Sequence, residues 1–245
     1  RDRYSPVAFF AFNRPYHTNE TLKALSQNKI AINTELFAFI DGTKKNHEVH
    51  LVDNVEKIIK SYSNNFKRIT IFRSPENLSG NTMKRIHLSN LFSKFESIIV
   101  LEDDNLVSKS FLDYMNKALI RYKDVDKVWQ INGYNYPNQS TLYQEAFFTR
   151  SLQSWGFGLW KDRWFKFIDD KLASDPYYLI SKFDKAQIKA FNLDIKHDIN
   201  WSMVIAISKG KLKNPIDLFR EAHIFMNKGL CLSPRISLVR NIGYD

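Results

Sequence analysis

Cysteine is almost absent: Cys231 stands alone among 245 residues, so no disulfide can form within the chain. A single thiol suits a reducing compartment. No run of eighteen apolar residues occurs, which argues against a membrane-spanning helix. The opening stretch, RDRYSPVAFFAFNRP, lacks the long apolar core and small-residue cleavage site of a secretory signal. The six histidines show no ligand spacing and Cys231 has no partner thiol, so a zinc site has no support. Glycine and proline number only eight and seven and never gather into a linker. No repeat or low-complexity tract is visible. These absences point to one domain over residues 1–245, long enough to bury a core without staples. Blocks of like charge are missing too. Lys and Arg total 36 against 26 acidic residues, a net charge of +10. Such an excess suits an anionic partner: a nucleotide, an acidic membrane surface or nucleic acid. Its even spread argues against nucleic acid, which calls for a clustered basic stripe.

The first half alternates apolar runs with helical spacing. VAFFAF (7–12), LFAFI (36–40), ITIF (69–72), SIIVLED (97–103) and KVWQING (127–133) read as buried strands. Between them, helices are expected from Thr18 to about Gln27, from Val49 through Ile59, from Thr82 to Phe92 and from Ser108 through Tyr122. Strand and helix in alternation, with continuous apolar strands, predict an α/β fold with a mostly parallel sheet. Polar residues follow three of the strands: Asn13 and Arg14, Asp41 and Gly42, and Glu102, Asp103 and Asp104. Ligands in open α/β sheets bind at the carboxyl ends of strands, so these signals predict one site. Beyond residue 134 the pattern changes to aromatics and turn residues, read as irregular structure continuing the same domain, with a helix starting near Lys161.

The stretch IIVLEDDNL (98–106) drives an apolar strand into three adjacent carboxylates, which requires positive charge near its end. A solvated, helix-capping turn is the plain reading. The sharper one is a divalent-metal site, because hard cations take carboxylate oxygens and keep positions for phosphate and water.

Seven segments carry a family resemblance. VLEDD after a buried strand resembles the acidic, DxD-type motif of GT-A glycosyltransferases. FNRP with the following helix (12–25) is similar to their nucleotide-binding first strand and helix, FIDG (39–42) to the second-strand acid, and NLSGN (77–81) to the loop before the helix that leads to the acidic strand. SWGFGLWKDRW (154–164), HDINW (197–201) and SPRISLVRNIGYD (233–245) resemble segments of bacterial polysaccharide sugar transferases similar in plan to N-acetylglucosaminyltransferase I. The sequence departs from that pattern at Phe157 and His197, where the family often has Trp. It ends at Asp245, where relatives often continue through a Gly-Thr-His stretch.

The resemblance implies a GT-A, Rossmann-like fold flanked by helices, with a nucleotide-sugar half (1–133) and an aromatic-rich acceptor half (134–245). It implies an inverting hexosyl- or N-acetylhexosaminyltransferase that uses Mn²⁺ or Mg²⁺ and a nucleotide-sugar, with UDP favoured, on a glycan or lipid-linked acceptor. Asp104 is then the metal ligand, Asp103 contacts ribose or metal-bound water, and Glu102 contacts the sugar or orients its neighbours. Asp198, of the WD..W-like segment, is the general base, with Asp194 as competitor and a helix N-cap as its plainer role. Arg14 and Asn13 face nucleotide carbonyls or phosphate, Asp41 accepts from the nucleoside, and Asn77 and Gly80 shape the loop beneath the base. Lys84 or Arg85 reaches the diphosphate, unless both simply face solvent on an exposed helix. Trp155 and Gly156 wall the sugar site, with core packing an equal reading for Trp155. Trp160 and Trp164 are expected in the core. His223 is read as a surface or core histidine, and otherwise would reach metal or phosphate.

A cytoplasmic setting is expected, and the charge is compatible with peripheral contact at the anionic inner face of a bacterial membrane. Two other classes stay open. A nucleotidyltransferase also uses a strand-end acidic motif, but calls for a Gly-rich loop where this chain has FNRPYHTNE. A nonenzymatic carbohydrate-binding module fits the 14% aromatic content.

Overall fold

The computed structural model describes residues 4–136, 144–192, 199–213 and 215–244. In chain order the elements are β1 (Val7–Ala11), α1 (Pro15–Ser26), β2 (Glu35–Ile40), α2 (Val49–Ser61), β3 (Arg68–Arg73), α3 (Gly80–Phe92), β4 (Ser97–Glu102), β5 (Asn105–Val107), α4 (Phe111–Tyr122) and β6 (Val128–Asn132). There follow β7 (Ala146–Thr149), β8 (Phe157–Trp160), α5 (Lys161–Ile168), α6 (Pro176–Lys182), α7 (Lys185–Phe191), α8 (Ile199–Ser208), α9 (Ile216–Met226), β9 (Leu230–Pro234) and β10 (Val239–Asn241).

Eight strands form one sheet in the order β3-β2-β1-β4-β8-β6-β9-β7. The first four are mutually parallel and β6 pairs parallel with β9. β8 runs antiparallel between β4 and β6, and β7 closes the edge antiparallel to β9. Strands from both halves of the chain therefore share one sheet. It is mixed α/β, flanked by helices as expected.

β1, β2 and β4 are buried on both faces, which is why they read as unbroken apolar runs, whereas the edge strand β3 is half-buried to exposed. Val7, Phe9 and Ala11 of β1 pack with Leu36, Ala38 and Ile40 of β2 and Ile99 and Leu101 of β4, against α1, α2 and α4. The intervening Ala8, Phe10, Phe37, Phe39, Ile98 and Val100 face the other way, against α3, α5, α6, α8 and α9. Alternate residues of a strand point to opposite faces, so each strand feeds two cores. Each such Phe, Leu or Ile contributes about 1.5–3 kcal/mol by leaving water. Trp160 and Trp164 are buried in these cores, as the sequence suggested.

Several boundaries differ from the sequence reading. α1 starts at Pro15, whose fixed φ suits the first helical position, so Thr18 lies buried inside the helix instead of capping it. α3 begins at Gly80, two residues before the expected Thr82. α4 begins at Phe111 behind Ser110, three residues beyond Ser108. The aromatic-rich stretch after residue 134 supplies two strands, β7 and β8, each only four residues long. Such lengths are too short for alternation to show. β5 and β10 form a separate antiparallel ribbon that the sequence did not announce. Among the described residues no helix is long and apolar enough to cross a membrane.

Candidate functional site

β1, β2 and β4 end side by side, because Ala11 is in register with Ile40 and Phe10 with Glu102. The residues that follow them line a pocket of about 280 Å³ whose walls include Asn13, Arg14, Asp41, Asn77, Gly80, Glu102 and Asp103. Seven of the residues singled out from the sequence thus meet in one place.

The positive charge demanded by the three carboxylates comes from two directions. The Arg14 guanidinium donates through Nη2 to Asp103 Oδ1 and, at 2.9 Å, to Asp104 Oδ2. Lys84 Nζ lies 2.9 Å from Glu102 Oε1 and 3.4 Å from Asp217 Oδ2 on α9. Lys84 is 6% exposed, which corrects the reading of an exposed helix face. Arg220 follows Asp217 at 3.4 Å and also donates to Gln130 Oε1 on β6. Burial disfavours the Lys84 ammonium, but Asp217 and Glu102 hold its pKa well above the usual lysine value. Burial pushes the Asp103 carboxyl up to about 6, against the opposing pull of Arg14.

The acidic loop is stitched by Asn105, a fully buried residue that the sequence reading quoted but gave no role. Its Nδ2 donates to Asp104 Oδ1 at 2.7 Å, while its Oδ1 accepts from Glu102 N at 3.2 Å and Gly156 N at 3.0 Å. One amide thereby fixes both flanks of the loop and ties it to the SWG segment. Gly156 has φ of +63°, and a Cβ there would lie 2.8 Å from Val239 Cγ2, so glycine is required twice over. Thr21 Oγ1 donates to the Asp103 carbonyl at 2.7 Å, anchoring the loop to α1.

Asp41 is held by the chain itself: Oδ1 accepts from Gly42 N and Leu78 N, and Oδ2 from Asn77 Nδ2 at 3.2 Å. It clamps the 77–80 loop against the pocket and still lines it. Asn13 Nδ2 donates to Glu48 Oε1 at 2.9 Å. Arg85 points elsewhere, donating to the Ala173 carbonyl and lying over the Phe167 ring, so the reading that it reaches a diphosphate is not met. His223 is buried between Trp129 and Phe167, with Nδ1 3.2 Å from Asp170 Oδ2. It is a core histidine.

Trp155 does not line the acidic pocket. It packs edge-on against Tyr134 at 4.6 Å and Tyr244 at 5.9 Å, and walls a separate cleft of about 600 Å³ with Tyr136 and Asn241. The two spaces are divided by the segment after β10, where Ile242 N donates to the Asp104 carbonyl at 3.0 Å and the Ile242 carbonyl lies 3.0 Å from His17 Nε2. The expected base Asp198, its competitor Asp194, and His197 lie outside the described residues.

A divalent ion fits Asp103 and Asp104 on one observation: both carboxylates converge on a single cationic atom, Arg14 Nη2. Two carboxylates leave a hard ion room for phosphate oxygens and water. Glu102 pairs with Lys84 instead of Arg14, and among the described residues no three His, Cys, Asp or Glu side chains form a metal cage.

Glu221, one turn beyond Asp217 on α9, was missed entirely. Burial pushes its carboxyl up to about 7, aided by the charge of Asp217 and opposed by the Leu152 backbone. Asn200 Nδ2, near the start of α8, lies 3.5 Å away. The unfolded chain sheds this proton near the ordinary 4.5 and the folded protein keeps it to about 7, so folding stability falls as pH rises through that window. Glu221→Gln is expected to flatten this decline and to raise stability at pH 8 by on the order of 1–3 kcal/mol. Denaturant unfolding at pH 5 and pH 8 measures it; equal pH slopes in both proteins would contradict the buried acid.

No family model matches the sequence, and comparison with curated proteins finds no match. Solved structures similar to the chain include the mannosyltransferase PcManGT of Pyrobaculum calidifontis in complex with GDP-Man and Mn²⁺, with TM-score 0.47 and 11% identity over 92% of this chain and 71% of that one. A 4-diphosphocytidyl-2C-methyl-D-erythritol synthase from Anaerococcus prevotii is similar at TM-score 0.42 and 11% identity, over 84% of this chain and 83% of that one. S. aureus TarS is similar at TM-score 0.41 and 13% identity over 57% of this chain, which spans only 23% of the TarS length. At these scores the likenesses assign the chain to no family, and its chemistry has to be read from the pocket.

Proposed function

We propose that the protein is a metal-dependent, inverting glycosyltransferase that moves a sugar from a nucleotide-sugar, UDP-linked by preference, to a hydroxyl of a glycan or lipid-linked acceptor. One observation carries this reading: at the shared end of β1, β2 and β4, an arginine and two carboxylates meet beside a pocket that Asp41 and Asn77 also line. That arrangement suits a ligand that is anionic at one end and a hydrogen-bonding ring at the other. Asn13, Asp41, Asn77 and Gly80 hold the nucleoside in this account. Arg14 neutralises the diphosphate. Asp104 is the metal ligand, supported by Asp103, and Glu102, braced by Lys84, faces the sugar. When bound, Mn²⁺ or Mg²⁺ supplies Lewis-acid stabilisation of the leaving diphosphate.

In the chain, residues 1–133 hold the donor and residues 134–245 the acceptor side, with Trp155 as an aromatic wall. Asp198 takes the proton from the acceptor hydroxyl as general base, and a single displacement inverts the anomeric centre. Asp198→Asn is expected to abolish turnover with donor binding nearly intact. NMR of the product anomeric centre, with donor titration of the variant, checks both points. Retained configuration would refute the single displacement, and lost donor binding would give Asp198 a structural role.

A nucleotidyltransferase is the second reading, since it too needs carboxylates at a strand end. Against it stands the β1–α1 turn, where Arg14 and Pro15 enter the helix without the glycine-rich loop that cradles a triphosphate.

Peripheral contact with an anionic membrane is part of the proposal. Lys171, Lys182, Lys185 and Lys189 are exposed, and so are Lys209, Lys211 and Lys213, with Tyr177 68% and Leu212 47% exposed. The Tyr177 hydroxyl donates to the Ser208 carbonyl at 2.6 Å, which joins the two lysine groups. Co-sedimentation with phosphatidylglycerol vesicles at low salt is expected, and with neutral vesicles is not. Equal partition to both kinds would refute charge-driven contact.

A further inference from the structure

The acidic loop already holds a cation, and that cation belongs to the chain. Arg14 Nη2 donates to Asp103 and, at 2.9 Å, to Asp104. The segment after β10 closes the other side. A Cβ on Gly243 would lie 2.4 Å from Asp104 Oδ2 and 2.8 Å from Arg14 Nη1, so the backbone of this segment runs close against the pair. A divalent ion bound by Asp103 and Asp104 would claim the oxygens that Arg14 holds. Two cations that close repel, and the guanidinium has to leave. It has somewhere to go. Arg14 stands at the N-cap of α1 and lines the 280 Å³ pocket, and its side chain is 34% exposed. Guanidinium pairs with phosphate oxygens as well as with carboxylates.

We propose that Arg14 is a displaceable resident cation: it neutralises Asp103 and Asp104 in the free protein and yields them to a divalent ion when a diphosphate in the pocket takes over its guanidinium. Metal and nucleotide then bind as a coupled pair, each strengthening the other by the same factor. The idea rests on the transferase reading of the pocket, but concerns binding alone.

The test is Mn²⁺ affinity, from the electron paramagnetic resonance signal of free Mn²⁺, with and without UDP or GDP. Wild type, Arg14→Gln and Arg14→Lys are compared. Wild type is expected to bind Mn²⁺ weakly alone and at least about tenfold more tightly with nucleotide. Arg14→Gln is expected to bind Mn²⁺ alone about tenfold more tightly than wild type, with little further gain from nucleotide. Arg14→Lys keeps the charge and should remain nucleotide-dependent, and it carries the test if the glutamine variant does not fold. Unchanged or weaker Mn²⁺ binding by Arg14→Gln, with nucleotide coupling intact in wild type, overturns the displacement while sparing the transferase reading. So does an Arg14→Lys variant whose Mn²⁺ binding no longer depends on nucleotide. If no protein binds Mn²⁺ under any condition, the metal site itself falls, and the displacement with it.

Discussion

Asp104→Ala is expected to lower sugar transfer by about a hundred- to a thousandfold while the fold persists. The carboxylate lies where one oxygen meets Arg14 Nη2 and the other meets Asn105 Nδ2. Both neighbours keep other partners when it is removed: Arg14 retains Asp103, and Asn105 retains the Glu102 and Gly156 amides through its own carbonyl oxygen. The stability cost should therefore be about 1–3 kcal/mol, chiefly for leaving the buried Asn105 Nδ2 without its acceptor. On the proposed function, what is lost is a ligand for the cation that would stabilise charge on the leaving group. Initial rates at saturating donor and thermal midpoints of both proteins check the split. A variant that turns over at the wild-type rate would remove Asp104 from the chemistry. One that loses several kcal/mol would make the acidic loop mainly structural.

The largest stability effect is expected at Lys84. Its ammonium is enclosed between Glu102 and Asp217, with Arg220 beyond. Lys84→Met keeps much of the stem packing but leaves two carboxylates facing each other without their shared cation. Removing one partner from a buried ion pair typically costs about 3–5 kcal/mol, far more than the intact pair contributes over an apolar substitute. For a domain of this size that is a fall in thermal midpoint of roughly 6–20 °C. The effect has a sign in pH. Burial opposes the Asp217 carboxylate, and Lys84 is foremost among the groups that hold its carboxyl below the usual range. That contribution to stability is present above the ordinary carboxyl pKa and absent at low pH, and it is missing from the variant. The deficit relative to wild type is expected to be smaller at pH 5 than at pH 8. Denaturant unfolding at the two values measures it. A deficit independent of pH would attribute the loss to packing rather than charge.

The parallel half of the fold was legible because its strands are covered on both sides, which leaves an unbroken apolar signature in VAFFAF, LFAFI and SIIVL. The second half was less so. β7 and β8 have four residues each, and β10 only three. What fixes such strands is pairing with partners distant in sequence, as Gly158 with Ile99 and Ile131. The site was legible as residue types at strand ends: Arg14, Asp41, Asn77, Glu102 and Asp103 line one pocket, and Asp104 joins them through Arg14. How they partition was not. That Arg14 takes Asp103 and Asp104 while Lys84 takes Glu102 depends on which face of α3 turns inward, and the helix carries its lysine on the buried side beside Met83 and Leu88. Asp217 and Glu221 lie 115 and more residues beyond Glu102 in the chain, and no local pattern around α9 marks them as neighbours of the site. Asn105 carried a signal, an amide directly after three carboxylates, but its role needs Gly156 to be in contact.

The central claim is that the pocket binds a nucleoside diphosphate together with a metal at Asp104. A panel of nucleoside diphosphates and nucleotide-sugars, with and without Mn²⁺, read by thermal shift, tests it most directly, because a ligand that binds the folded state raises the midpoint by mass action. The account predicts a shift for one base family that requires Mn²⁺ and disappears in Asp104→Ala. No shift for any nucleotide, or one that survives unchanged in Asp104→Ala, would contradict it.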